Sequence, residues 1–197
     1  MIRTTPSRIL RCSFAALLAA GLLGQTGCVS GNTPAEQRAT MLRVRDETLE
    51  TLYARAPETR AAIKKAAGYA VLKGFSLHPG MMTFASGSIT VVDNSTGKPV
   101  FDRMFRFAVG PGLAIKSHRV VMVINNAQTL KRLADSPWVL AGLLEASFHF
   151  GNFGGSAAAA ISPGDDVTTY YWTNTGFSLE AALGVMKVWH DSDMNAD

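Results

Sequence analysis

The sequence predicts an α+β protein, with N-terminal helices packed on a predominantly antiparallel, Gly-rich β-sheet curled into a barrel or sandwich. Two observations carry this. Helical spacing of apolar residues dominates the stretch before Gly68, and beyond it, apart from a short segment over 127–134, come β-branched and aromatic runs punctuated by Gly, Asn, Asp and Pro. The 18 glycines fall mostly at or after Gly68, where they supply the turns and bends such a sheet needs.

Residues 1–27 are expected to be a lipoprotein signal peptide. Arg3, Arg8 and Arg11 have no acidic partner and lead into an apolar run over 12–23, broken only by Ser13 and Gly21. That run is about half of the roughly 20 residues a membrane-spanning helix needs, so it reads as cleavable. Gly24-Gln25-Thr26-Gly27-Cys28 resembles a lipobox, departing from it at Gln25, where an aliphatic residue is usual. Cys28 is then the lipid-carrying (palmitate-type) N-terminus of the mature chain. Secretion with Cys28 as a free thiol is the other reading, but no A-x-A-like cleavage site lies nearby and an odd thiol is unusual in a secreted protein.

Without the signal the basic count falls from 19 to 16 against 15 acidic residues, a net charge of +1. The whole chain's basicity therefore gives no argument for nucleic acid. What remains is unevenly placed. Between Arg38 and Lys73 stand eight basic residues against Asp46, Glu47, Glu50 and Glu58, and from Glu145 onward seven acids face only Lys187. Cys12 leaves with the signal and Cys28 is modified, so stability must come from packing.

A flexible tether is expected over 28–34, then an amphipathic helix over 35–56, with Leu42, Leu49, Leu52, Tyr53 and Ala56 on one stripe. Pro57 ends it and opens a second helix over 58–67, with Lys64 and Lys65 in the last turn and Gly68 as the stop. Strands follow over 69–72, 81–92 and 100–109, the last two joined by the loop Asp93-Asn94-Ser95-Thr96-Gly97. A buried strand over 119–124 leads to a short helix over 127–134 that Ser136-Pro137 closes. Strands over 138–150 and 157–161, a turn over 163–166 and a pair over 167–173 and 177–189, hinged at Asn174-Thr175-Gly176, complete the chain.

These residues carry a resemblance. Ala66-Ala67-Gly68-Tyr69-Ala70-Val71-Leu72 looks like the entry strand of the SYLF domain, and Phe107-Ala108-Val109-Gly110-Pro111-Gly112-Leu113 resembles its central strand. Residues 119–125 with Ala127-Gln128-Thr129-Leu130 are similar to its apolar strand and small helix. Thr175-Gly176-Phe177-Ser178-Leu179 and Lys187-Val188-Trp189-His190-Asp191 resemble the end of bacterial SYLF lipoproteins. The likeness runs collinearly over 57–195 and implies a lipid-binding domain, engaging an anionic phospholipid or a lipid-like molecule.

Catalysis finds little support. His78, His118, His149 and His190 are scattered without metal-ligand spacing, and there is no nucleophile elbow or P-loop. No cofactor is expected. His190-Asp191-Ser192-Asp193 lacks the glycine and distal glutamate of a calcium loop and reads as a solvated tail. Gly110-Pro111-Gly112 and Gly151-Asn152-Phe153-Gly154-Gly155 lie among strands, where bends are expected in place of phosphate cradles.

The expected phospholipid-binding residues are Arg60, Lys64, Lys65 and Lys73, since each Lys or Arg near an anionic surface gains on the order of 1 kcal/mol. Apolar side chains of the first helix either touch acyl chains or merely dock that helix on the sheet. The reading is a non-enzymatic phospholipid-binding lipoprotein on the periplasmic side of the bacterial outer membrane, with Val29 and Ser30 offering no acidic inner-membrane retention signal. A structural or protein-interaction module of the envelope is the competing expectation, and a carrier with an enclosed apolar cavity a third.

Overall fold

The computed structural model describes residues 31–135, 137–150, 153–159 and 166–196. The signal, the lipobox and Cys28 lie outside the described residues, as does most of the turn expected over 163–166.

Helix α1 spans Pro34–Arg55, opened by Thr33, whose hydroxyl accepts from Glu36 N at 3.2 Å, and by Pro34 in its first turn. It buries Met41, Val44, Thr48, Leu49 and Leu52. The apolar stripe therefore begins at Met41 and Val44, while Leu42 is only half-buried. Helix α2 is Thr59–Lys65, shorter than expected because Ala66 is already extended and feeds the sheet.

Strands β1 (Gly68–Asp93) and β2 (Pro99–Ile124), each 26 residues, pair antiparallel along their length. Helix α3 (Ala127–Ala134), capped by the Asn126 side chain, follows, then β3 (Trp138–Phe150), β4 (Phe153–Ala159), β5 (Val167–His190) and the single turn α4 (Ser192–Asn195). The sheet order is β1-β2-β5-β3-β4 and all its neighbours are antiparallel.

The segments expected over 69–72 and 81–92 are thus one strand, as are 100–109 with 119–124. Residues 167–173 and 177–189 are likewise one strand, and the hairpin expected at Asn174-Thr175-Gly176 does not form. Asn174 is the extra residue of a bulge, because Ser117 pairs with Thr175 and His118 with Thr173. The joining segments carry glycine or proline and alternate in the opposite sense to a core strand, which made them look like breaks.

These long strands fold over. The backbone N–H of Asn94, just past the end of β1, donates to Ala67 O at 3.0 Å, just before its start. Thr83 Oγ1 meets His78 Nδ1 at 2.9 Å across the bend, and a side chain at Gly87 would collide with the Lys73 carbonyl. The reversal falls at Gly80, whose φ of +108° is a conformation that side chains disfavour, next to a register shift between Gly80 and Met82. β2 and β5 are in register with β1 on both legs and bend with it. Among the described residues β1 and β4 are not paired with each other, so the sheet does not close into a barrel.

Between the legs, away from the bend, lies a core of Leu72, Ile89, Met104, Ile124, Met186 and Val188, closed at the end by Leu130 and Leu133 of α3. Leu49 and Leu52 of α1 and Ile63 of α2 pack outside it on Val71, Val121, Val123 and Trp172. Met41, Phe101 and Met194 join α1 to the second leg and to α4. The first helix therefore docks its stripe on the sheet, and those leucines are not available to acyl chains. Each such side chain contributes about 1.5–3 kcal/mol when fully buried.

Candidate functional site: an apolar belt around a polar interior

Antiparallel sheets of water-soluble proteins usually turn apolar residues inward and polar ones outward. The helix-covered end of this sheet obeys that rule. Toward the bend it is reversed. In β1 the exposed Phe75 and Leu77 alternate with the buried Ser76 and His78, and beyond the bend exposed Met82 and Phe84 flank buried Thr83. In β2 the exposed Leu113 and Ile115 bracket Ala114 and precede buried Lys116; in β5 the exposed Leu179 stands between buried Ser178 and Glu180.

The strand register lines these residues up in rows. Leu77, Ile115 and Phe177 form one row, Pro79, Leu113 and Leu179 the next, then Met82, Val109 and Leu183, then Phe84, Phe107 and Val185. The Phe84 and Phe107 rings touch with centroids 5.6 Å apart. Exposure reaches 59% at Met81, 57% at Leu113 and 63% at Leu179, and no charged side chain interrupts these rows. Contiguous apolar surface on this scale is rare on a monomer in water and marks a contact site.

Cations and indoles border the belt. On one leg, Lys73, Arg119 and Trp172 are cross-strand neighbours in a single row. On the other, Arg103 pairs with Trp189, and Lys187 with Phe105. Trp172 and Trp189 stand 8 positions before and 9 positions after Glu180 at the bend. At about 3.3 Å per residue each leg reaches roughly 25–30 Å from the bend to its tryptophan. The hydrocarbon core of a bilayer is about 30 Å thick.

The interior at this level is polar and sealed. Glu180 accepts from Lys116 Nζ at 2.5 Å, and its other oxygen lies 2.8 Å from His78 Nδ1. His78 Nε2 donates to Gly110 O at 2.9 Å. His118 follows, 3.4 Å from Ser76 Oγ and stacked on Tyr171. Opposite charges buried this fully need each other, because desolvation of either alone costs several kcal/mol.

The residues singled out from the sequence stand on two elements, α2 and β1. Arg60 is exposed on α2, 3.7 Å from Glu50 and with its guanidinium 4.2 Å from the Tyr53 ring centroid. Lys64 and Lys65 are exposed in the last turn of the same helix. Lys73 is half-buried in β1 beside Arg119.

The C-terminal His190 and Asp191 have structural partners. His190 Nδ1 lies 2.7 Å from Asp102 Oδ1, and Asp191 caps α4 and pairs with Arg103. Burial raises the Asp102 carboxyl to about 6, which its contact with His190 only partly opposes. Among the described residues no group of three or more His, Cys, Asp and Glu is placed to hold a metal ion, and no helix is long and apolar enough to cross a membrane. A further cavity of about 430 Å³ lies between α3 and the β1–β2 hairpin, lined by Val91, Leu130 and Lys131 among others.

The belt escaped the sequence reading, although its signal was legible: apolar residues at every second position alternate with Ser76, His78, Lys116, Ser178 and Glu180, the opposite sense to a soluble strand.

No family model matches the chain. It is similar to beta cell expansion factor A of Aeromonas veronii, with 25% identity over 166 residues. These make up 82% of this chain and 60% of the relative, so the chain spans well under the relative's full length.

Proposed function

We propose that this chain is a non-enzymatic phospholipid-binding lipoprotein with a SYLF-like domain, anchored through Cys28 on the periplasmic side of the bacterial outer membrane, and that it inserts the apolar belt among acyl chains. The observation that carries this reading is the reversed alternation at the bend. An outward apolar band over a polar interior, bordered by tryptophans and long cations, is the arrangement of strands whose solvent is lipid. At roughly 25 cal/mol per Å², removing a half-exposed leucine or phenylalanine from water contributes about 1–2 kcal/mol, and the belt has many. The folded-over sheet then acts as a two-layered sandwich whose end is immersed and whose helices stay outside. Arg60, Lys64 and Lys65 add a salt-sensitive attraction to anionic headgroups.

Vesicle co-sedimentation tests this. The full chain is expected to bind phosphatidylglycerol vesicles, with a residual fraction that resists 1 M salt, on the order of a threefold shorter screening range than at 0.1 M. Leu113→Asp with Leu179→Asp is expected to abolish the salt-resistant fraction. Equal recovery of that variant and the unaltered chain would sink the reading. The alternative, a protein-interaction module of the envelope, draws on β1, which among the described residues pairs with a neighbouring strand on one side only. A stoichiometric protein partner recovered without lipid would favour it.

A further inference from the structure

We infer that Lys73, Arg119 and Trp172, with Arg55 of α1 above them, form a binding site for a phosphate group. The first three are cross-strand partners in one row, so their side chains leave the same face of the sheet side by side. Arg55 places its guanidinium 5.4 Å from the Trp172 ring centroid, closing the row from the helix side. Three cations and an indole thus stand side by side on one face of the sheet.

Two of the donors there have no hydrogen-bond partner among the described residues. Trp172 is 8% exposed, and its Nε1 is buried without a hydrogen-bond partner among the described residues. Arg119 Nη1 is buried in the same condition. A buried donor left unpaired costs about 1–3 kcal/mol, more when it carries charge, so two neighbours in this state call for an acceptor. The nearest opposing field on Arg119 is that of Glu47, but Glu47 is exposed and already holds Arg43 at 2.5 Å. Asp46 likewise holds Arg45, at 2.8 Å. Neither carboxylate satisfies the pair from the adjoining helix.

An acceptor that serves an arginine fork, an ammonium and an indole N–H together needs several oxygens and negative charge, which a phosphate supplies. Its position points the same way. The next row along the sheet is Phe75, Ser117 and Thr175, and the one after it, Leu77, Ile115 and Phe177, opens the belt. A phospholipid seated with its phosphate on Arg119 would lay its acyl chains along that surface. This placement rests on the proposal that the belt meets lipid; the site's affinity for phosphate does not.

The test uses the full chain with Trp138→Phe and Trp189→Phe, so that emission reports Trp172, titrated separately with phosphatidylglycerol vesicles, inorganic phosphate and phosphate-free dodecyl maltoside micelles. Phosphatidylglycerol is expected to shift the emission saturably. Arg119→Gln is expected to weaken that binding tenfold or more, Arg119→Lys less, and neither to alter binding to the micelles. Trp172→Phe, followed by co-sedimentation, provides a second variant that preserves packing. A response to phosphatidylglycerol alone identifies a lipid headgroup as the source; a matching response to inorganic phosphate identifies the free ion. Unchanged phosphatidylglycerol binding in both Arg119→Gln and Trp172→Phe would overturn the site. If instead Leu113→Asp with Leu179→Asp leaves micelle and vesicle binding intact while Arg119→Gln still weakens the latter, the belt reading fails and the phosphate site stands.

Discussion

Lys116 Nζ lies 2.5 Å from Glu180 Oε1, and neither side chain reaches solvent. The pair joins β2 to β5 inside the bend, beneath Ile115 and Leu179 of the belt. Lys116→Met removes the ammonium that pairs a buried carboxylate and is expected to cost about 3–5 kcal/mol in urea unfolding. Lys116→Met with Glu180→Gln removes both charges and should recover half of that loss or more. A double variant no more stable than Lys116→Met would mean the pair's electrostatics are not what the bend depends on.

Asp102 gives stability a dependence on pH. Its carboxyl, buried under His190, is raised to about 6 from an ordinary value of 3.8. A raised acid contributes stability that is whole below pH 4 and is lost as the pH climbs through 6, a change of about 3 kcal/mol. Asp102→Asn removes the ionisation while keeping the shape. It is expected to be the more stable protein at pH 8 and to have no advantage at pH 4, as measured by urea midpoints at the two values.

The close approach of the two legs of β1 makes Gly87 intolerant of substitution. A methyl group there meets the Lys73 backbone, which cannot rotate away. Gly87→Ala is expected to cost about 2–3 kcal/mol, the range of overpacked cores. Ser86→Ala, one position away and partly exposed, should stay within about 0.5 kcal/mol. Thermal melts of the two variants compare them directly.

Immersion of the belt sets a depth for the tryptophans. With Trp138 replaced by Phe, Trp172 and Trp189 should be quenched more by bromines near the glycerol backbone than by bromines at the ends of the acyl chains. Stronger quenching from the chain ends would place them deeper than the belt's borders and contradict the proposed orientation.

How far the sequence revealed this molecule depends on which physical rule each segment follows. Pro34, Pro57, Gly68 and Asn126 obey the ordinary grammar of helix ends, and all three helices before β3 were located within a few residues. The β1–β2 loop was equally plain from Asp93 to Gly97. Strand continuity was not, because Gly80, Pro111 and Gly176 normally end strands and here lie inside them. The candidate site was missed for a related reason. Basic residues were grouped by sequence proximity, which joins Lys73 to Lys64 and Lys65, whereas cross-strand pairing joins it to Arg119 and Trp172. Only the register, a long-range property, makes that neighbourhood.

The shift between Gly80 and Met82 acts as a parity correction. Before it the odd-numbered side chains Phe75, Leu77 and Pro79 face out; after it the even-numbered Met82 and Phe84 do, and Met81 is the spare residue between the two phases. Had β1 run through Met81 in unbroken alternation, its second leg would stand half a period out of step, delivering Phe84 into the interior beside His78 and Glu180 and turning Thr83 toward the surroundings. Met81 thus lets an odd-numbered and an even-numbered phase share one strand, and its deletion would leave plain alternation with the chemistry of both faces unchanged.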